Sequence, residues 1–176
     1  VNVVLVGYRG TGKSSVAAFV GRALSWPVVS LDDEIEREAG QSIPEIVRER
    51  GWPGFRDLEE RLCRRFATQD GQVLDCGGGV VEREANFEVL GKAGPVIWLA
   101  ATPETIVARI EGDQRRPSLT GTHSFTDEVA EVLARRTPLY ERIARVRVDT
   151  DARTIEEIGS RVLEVIESVA RATTRS

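Results

Sequence analysis

Gly7-Tyr8-Arg9-Gly10-Thr11-Gly12-Lys13-Ser14 has the spacing GxxxxGK[ST], after the apolar run Val3-Val4-Leu5-Val6 and before a helical stripe of Val16, Ala17, Phe19, Val20 and Leu24. A buried strand before such glycines and a helix after them is the setting in which this spacing wraps backbone N–H groups around a polyphosphate. Glycine lets the backbone come close and turn tightly. Lys13 is expected to neutralise the β and γ oxygens, and the Ser14 hydroxyl to take one Mg²⁺ position. Gly10, Thr11, Gly12 and Ser15 complete the expected cradle. The bland alternative is a Gly-rich turn with a solvated lysine, and the flanking strand and helix weigh against it. The spacing indicates ATP or GTP and is silent about the group that receives the phosphoryl.

Arginine supply near a transferred phosphoryl group is what such chemistry demands, and the chain offers several candidates. Arg56 and Glu59 stand three apart at the start of a helical stretch, so the carboxylate can brace the guanidinium while its fork points elsewhere. Read alone, an exposed ion pair worth a few tenths of a kcal/mol is the simpler account. Arg115 and Arg116 lie in a polar segment, and Arg135 and Arg136 precede Pro138. Val73-Leu74-Asp75-Cys76 reads as a buried strand running into Gly77-Gly78-Gly79, where a ligand can approach the backbone at a strand's carboxyl end; a plain flexible turn is the alternative. Asp32 follows the second strand and either orients or deprotonates an acceptor hydroxyl or caps the next helix, a task Asp33 could equally perform. His123 has no partner carboxylate or serine nearby in the sequence and reads as solvent-exposed.

The elements that must position these groups alternate along the whole chain. Short apolar runs near 2–7, 27–31, 72–76, 95–100 and 145–149 read as strands; helical periodicity marks 12–25, 32–39, 43–50, 54–69, 83–92, 103–111, 125–144 and 154–171. This is the pattern of βα units closing on a parallel sheet covered on both faces. Ile155, Ile158, Val162, Val165, Ile166 and Val169 give the last helix a buried face. The segment 112–124 is polar, Gly-bearing and without either period, so it is expected to be a mobile lid.

With 176 residues, 41% hydrophobic and 30% charged, the chain fits one globular domain. Lys and Arg number 24 against 28 Asp and Glu, a net charge of −4 that gives no general attraction to nucleic acid or to an anionic membrane. Any phosphate site must therefore be local. Cys63 and Cys76 lack the spacing of a metal or redox motif and read as buried thiols in a reducing compartment. No apolar run reaches the ~18 residues of a membrane span, so a cytoplasmic location is expected.

Taken together, these residues resemble the shikimate kinase family from Val3 to about Arg153. GYRGTGKSS matches its phosphate loop, and Leu31-Asp32 with Ile35-Glu36 and Gly40-Gln41-Ser42-Ile43 matches its next segment. GFRDLEE carries FRxxE, CGGGVVE the triple glycine, RRPSL the lid and RRTPLYER the RxPLY motif. The resemblance implies a P-loop kinase-like three-layer α/β/α fold with a five-stranded parallel sheet. It also implies transfer of the ATP γ-phosphoryl group to the 3-hydroxyl of shikimate. Lys13, Asp32 and Arg116 would be the catalytic groups, with Arg116 closing over the ATP phosphates together with the lid. Asp32, Arg56, Gly77, Gly78, Gly79 and Arg136 would bind shikimate, within an acceptor region at about 32–61 and beyond it. Glu59 would brace Arg56, and Arg109 and Arg153 fall where the family packs arginine on adenine. The physics agrees, since a small anion with vicinal hydroxyls calls for bidentate arginine at one end and a carboxylate at the other.

One departure matters. The family shows Asp-x-Asp after the second strand, its first carboxylate associated with Mg²⁺ through water, whereas this chain reads Ser30-Leu31-Asp32. Either Asp75, at the end of an apolar strand two residues before Gly77, takes over that role, or Ser14 and ATP alone hold the ion. The strings SIPEIV, GWPGFR and CGGGVVE, with the start at Val1, are more similar to the kinase module of fused shikimate-pathway polypeptides. A monomer or a module of a longer polypeptide is thus expected. A kinase of another small hydroxy acid such as gluconate, and a catalytically silent nucleotide-binding homologue, stay as alternatives.

Overall fold

The computed structural model describes residues 1–111 and 125–174. The expected lid at 112–124, with Arg115, Arg116 and His123, lies outside the described residues. Strands β1 (Val3–Val6), β2 (Val28–Ser30), β3 (Val73–Asp75), β4 (Val96–Ala100) and β5 (Val146–Asp149) form one sheet of order β2-β3-β1-β4-β5. All four pairings are parallel. Helices α1 (Lys13–Leu24), α2 (Leu31–Ala39), α3 (Ile43–Ala67), α4 (Ala85–Ala93), α5 (Pro103–Ile110), α6 (Phe125–Ile143) and α7 (Ile155–Thr174) cover it, giving the three layers that the sequence implies. Among the described residues no helix is long and apolar enough to cross a membrane.

The period of two along β1 sorts the core. Val3 and Leu5 face Val16, Val20, Ile158 and Val162, from α1 and α7. Val4 and Val6 face Leu31, Phe55, Leu62, Leu90 and Tyr140, from α2, α3, α4 and α6. All four β1 residues are fully buried, as a central parallel strand requires. The chain leaving β1 crosses to the α1 face and the chain leaving β3 goes to the opposite one. A crevice therefore opens between two adjacent strands at their carboxyl ends, where ligands bind in sheets of this kind.

One expectation changes and one alternative falls away. The helices expected at 43–50 and 54–69 form one run, Ile43–Ala67, broken only at Gly51, whose φ of 69° and ψ of 175° interrupt the helical path. Pro53 falls in the first turn after the break, where its missing N–H costs nothing, so the interruption is shorter than Gly51-Trp52-Pro53 suggests. Neither Asp32 nor Asp33 caps α2. Ser30 does, its Oγ accepting from the Asp33 N–H at 3.3 Å. A 3₁₀ turn at Val80–Glu82 also follows the triple glycine, where no period could announce it.

Candidate active site

At the carboxyl ends of β1 and β3 lies a cleft of about 250 Å³, lined by Arg9, Gly10, Gly12, Lys13, Ser14, Ser15, Ser30, Asp32, Asp75, Cys76, Gly77 and Gly78. Gly10 and Gly12 carry φ of 81° and 88°, a left-handed backbone that side chains resist, and Gly12 leads directly into α1. Lys13 as a residue is 8% exposed, and its ammonium donates to the Tyr8 carbonyl at 3.1 Å, which the Thr11 hydroxyl also reaches at 2.8 Å. Lys13 thus arches over its own loop, its charge aimed where phosphate oxygens would lie. Arg109 fastens the loop from behind, donating to the Gly10 carbonyl at 3.1 Å and to the Thr150 hydroxyl and carbonyl, each at 3.2 Å. Arg153 is exposed, just past β5.

Asp75 points into the cleft. The Ser14 hydroxyl donates to its Oδ2 at 2.6 Å, and the residue is buried. Burial pushes its pKa up, against the pull of Lys13 and the Ser14 hydrogen bond, while Asp32 and Asp33 add to the rise. Strand register sets Ser30 beside Asp75 on the adjacent strand. The cleft thus has a carboxylate against the phosphate-loop hydroxyl, one strand over from Ser30.

The triple glycine is explained by arginines. A Cβ at Gly79 would overlap the Arg56 guanidinium, and one at Gly78 would sit 3.4 Å from an Arg136 terminal nitrogen and 3.3 Å from both the Arg9 nitrogen and the Gly7 carbonyl oxygen. Arg56 and Glu59 are both buried, joined at 2.7 Å, so the exposed surface pair that the spacing alone favours is not what forms. Trp52 and Phe55 flank the same guanidinium, with ring centroids at 5.4 and 5.1 Å. Of the two successive arginines on α6, Arg135 is exposed and Arg136 buried. Tyr140, one turn on, donates to the Gly78 carbonyl at 2.5 Å, and burial holds its phenol up at about 12. A second hollow of about 360 Å³ is lined by Arg56, Arg136, Glu82, Arg83, Arg135, Trp52 and Pro53.

A family model for shikimate kinase matches residues 9–167. A shikimate kinase of Rhodopirellula baltica is 43% identical over 171 residues, 95% of this chain and 91% of that protein. The chain belongs to the shikimate kinase family. A shikimate kinase of Symbiobacterium thermophilum is 39% identical, over 94% of this chain and 96% of that protein. The structure of an Acinetobacter baumannii shikimate kinase in complex with shikimate superposes with a TM-score of 0.90 at 30% identity, covering 95% of this chain and 93% of that one.

Within this shikimate kinase fold, the phosphate loop, Asp32, Asp75 and Gly77–Gly78 meet in one cleft, and Arg56, Gly79 and Arg136 meet beside it. Arg109 is brought against the phosphate loop at Gly10, and the Arg153 backbone N–H donates to the carbonyl of Thr150, the residue that Arg109 also holds. Sequence reading passed over Tyr8, whose ring lies 5.7 Å from the Arg136 guanidinium, and Glu82, three residues past Gly79. Glu82 was visible as the only acid in CGGGVVE, but nothing in the string gave it a partner. Cys63 and Cys76 are free and buried, as expected, and burial pushes both thiols well above their ordinary range.

Proposed function

We propose that the chain transfers the γ-phosphoryl group of ATP to the 3-hydroxyl of shikimate, giving shikimate 3-phosphate and ADP. The observation that carries this reading is the pair of buried arginines, Arg56 and Arg136, set on Gly79 and Gly78 next to the phosphate loop. Their forks suit a carboxylate at one end of a small ring. Asp32, across the cleft, suits the ring's hydroxyls at the other.

The new bond joins the acceptor oxygen to the γ-phosphorus as the bond to the β,γ-bridging oxygen breaks. Asp32 orients the attacking hydroxyl and accepts its hydrogen. Lys13 and the N–H groups from Gly10 to Ser15 stabilise charge on the non-bridging and leaving oxygens, as a preorganised field aimed at the transition state. Backbone at Gly77, Gly78 and Gly79 lines the acceptor pocket, with Glu59 holding Arg56. Arg109 and Arg153 lie against the adenine. The role expected of Arg116, closing over the phosphates, falls on a residue outside the described ones.

The donor set of Ser14 hydroxyl and Asp75 carboxylate, all oxygen and one hydrogen bond apart, fits a Mg²⁺ ion that keeps several waters. Held by Ser14 and Asp75, such an ion would supply positive charge to offset that of the transferring phosphoryl group. Ser14 would offer a hydroxyl oxygen lone pair while its O–H goes on donating to Asp75. Ser30, committed to the cap of α2, is not needed for this. Asp75→Asn is therefore expected to raise the Mg²⁺ concentration for half-maximal rate, and for Mg²⁺-dependent ADP binding, about tenfold, with Ser30→Ala changing neither more than about twofold. Titration of both variants by nucleotide fluorescence and coupled assay checks this; equal, negligible shifts would remove Asp75 from the role.

The function itself is tested by coupled ADP release with ATP, Mg²⁺ and candidate acceptors. Turnover with shikimate and none with gluconate is expected. Turnover with gluconate, or nucleotide binding without any acceptor-dependent release, would overturn the reading.

A further inference from the structure

Arg136 is almost wholly enclosed, with 3% of its side chain exposed, and a guanidinium in that position needs its five donors placed. Its Nε–H goes to Glu82 Oε1 at 2.7 Å. Arg135 donates to the same oxygen at 2.8 Å from the exposed side. The tyrosine ring of the phosphate loop lies against the guanidinium, and one terminal nitrogen is turned toward Gly78. Glu82 therefore occupies the side edge of the fork, the buried Tyr140 hydroxyl takes a further hydrogen bond from the guanidinium, and the rest of the fork's end lines the hollow that Arg56, Glu82 and Arg136 share.

We propose that Glu82 is a positioning residue that fixes Arg136 end-on to the acceptor carboxylate, with Arg135 tethering Glu82 from outside. The inference rests on the assignment of Arg136 to the acceptor. The short turn Val80–Glu82 makes it possible: the Glu82 N–H donates to the Gly79 carbonyl at 2.9 Å, so the carboxylate that orients Arg136 is carried by the same glycine segment that Arg56 and Arg136 pack on. Burial alone would raise the Glu82 pKa, but hydrogen bonds from Arg135 and Arg136 bring it below the ordinary carboxylate range. Glu82 is thus an anion beside an anion-binding site.

That charge makes the test sharp in sign. If Glu82 acted only through its field, neutralising it would strengthen binding of an anionic acceptor. If it positions Arg136, neutralising it weakens binding. In the full chain, Glu82→Gln is expected to raise both KM and Kd for shikimate roughly tenfold, with kcat within about twofold and KM for ATP unchanged. Its preference for shikimate over shikimate methyl ester should shrink by a similar factor. Glu84→Gln, on an exposed carboxylate paired with Arg142, should behave as the parent protein. Shikimate binding equal to or tighter than the parent's, or a fall in kcat with KM for both substrates moving together, overturns the proposal. Should Glu82→Gln fail to fold, Glu82→Asp decides: its shorter carboxylate should raise the shikimate KM, and an unchanged KM overturns the proposal. Arg136→Ala separates this inference from its premise. If that variant keeps the parent's shikimate affinity, the acceptor assignment itself fails; if it loses affinity while Glu82→Gln does not, only the role of Glu82 fails.

Discussion

Lys13→Met is expected to lower kcat about a thousandfold, because under the proposed reaction it removes a charge that a low-dielectric cleft would turn into transition-state stabilisation. Lys13 is buried, rests on the Tyr8 carbonyl at 3.1 Å and lies close enough to Asp75 to lower its pKa. Methionine keeps much of the volume and apolar stem, so packing survives while the ammonium is lost. Removing one preorganised donor costs about 10²–10³ in rate, and a full charge belongs at the upper end of that range. ADP binding should weaken much less, since the backbone N–H groups of the loop and the start of α1 are untouched. Single-turnover rates with ATP and shikimate, set beside ADP affinity, check this. A rate within tenfold of the parent would mean that Lys13 does not stabilise the transferred group. The variant also leaves Asp75 with less compensation for its burial, so its carboxyl should titrate higher still.

Gly79→Ala is expected to weaken acceptor binding without replacing an arginine. The added Cβ would occupy the space of the Arg56 guanidinium, which must leave its place against Glu59. Losing a charge-assisted contact to the acceptor carboxylate costs about 1.5–3 kcal/mol, which corresponds to roughly ten- to a hundredfold in shikimate affinity. Stability suffers as well, since separating a buried ion pair costs about 3–5 kcal/mol when one partner stays behind. Gly91→Ala is the comparison: it sits within α4 with nothing near its Cβ, and alanine there should stabilise by about 0.5–1 kcal/mol. Shikimate titration and thermal unfolding of the two variants check the contrast. Parent-like shikimate affinity in Gly79→Ala would show that Arg56 does not need this glycine, and that the clamp is built differently.

Both expectations depend on glycines whose tasks differ. Gly10 and Gly12 supply backbone angles, whereas Gly78 and Gly79 supply room. The first task is local and can be read from the spacing around Lys13. The second is set by side chains that arrive from α3 and α6, far along the chain, so CGGGVVE could be read only as a place of close approach. The approaching groups turned out to be two arginines of the protein itself.

Local spacing carried most of what was legible. Period two in Val3–Val6, period 3.6 in α1 and α7, and the glycine-lysine-serine spacing between strand and helix each follow from neighbours in sequence, so strand, helix and phosphate loop could be placed without coordinates. The motif strings, in order, likewise pointed to the family. What needed the tertiary structure was every property that depends on groups brought from afar. Burial changed Arg56 and Glu59 from a surface pair into a buried one. Parallel register put Ser30 beside Asp75, and the fold turned Asp75 onto Ser14. Packing of α6 against the triple glycine buried Arg136, which the motif strings had already singled out, left Arg135 exposed and gave Glu82 its partners. A sequence specifies which side chains are available and how its own segments repeat; solvent exclusion and contacts between distant segments exist only once the sheet has closed.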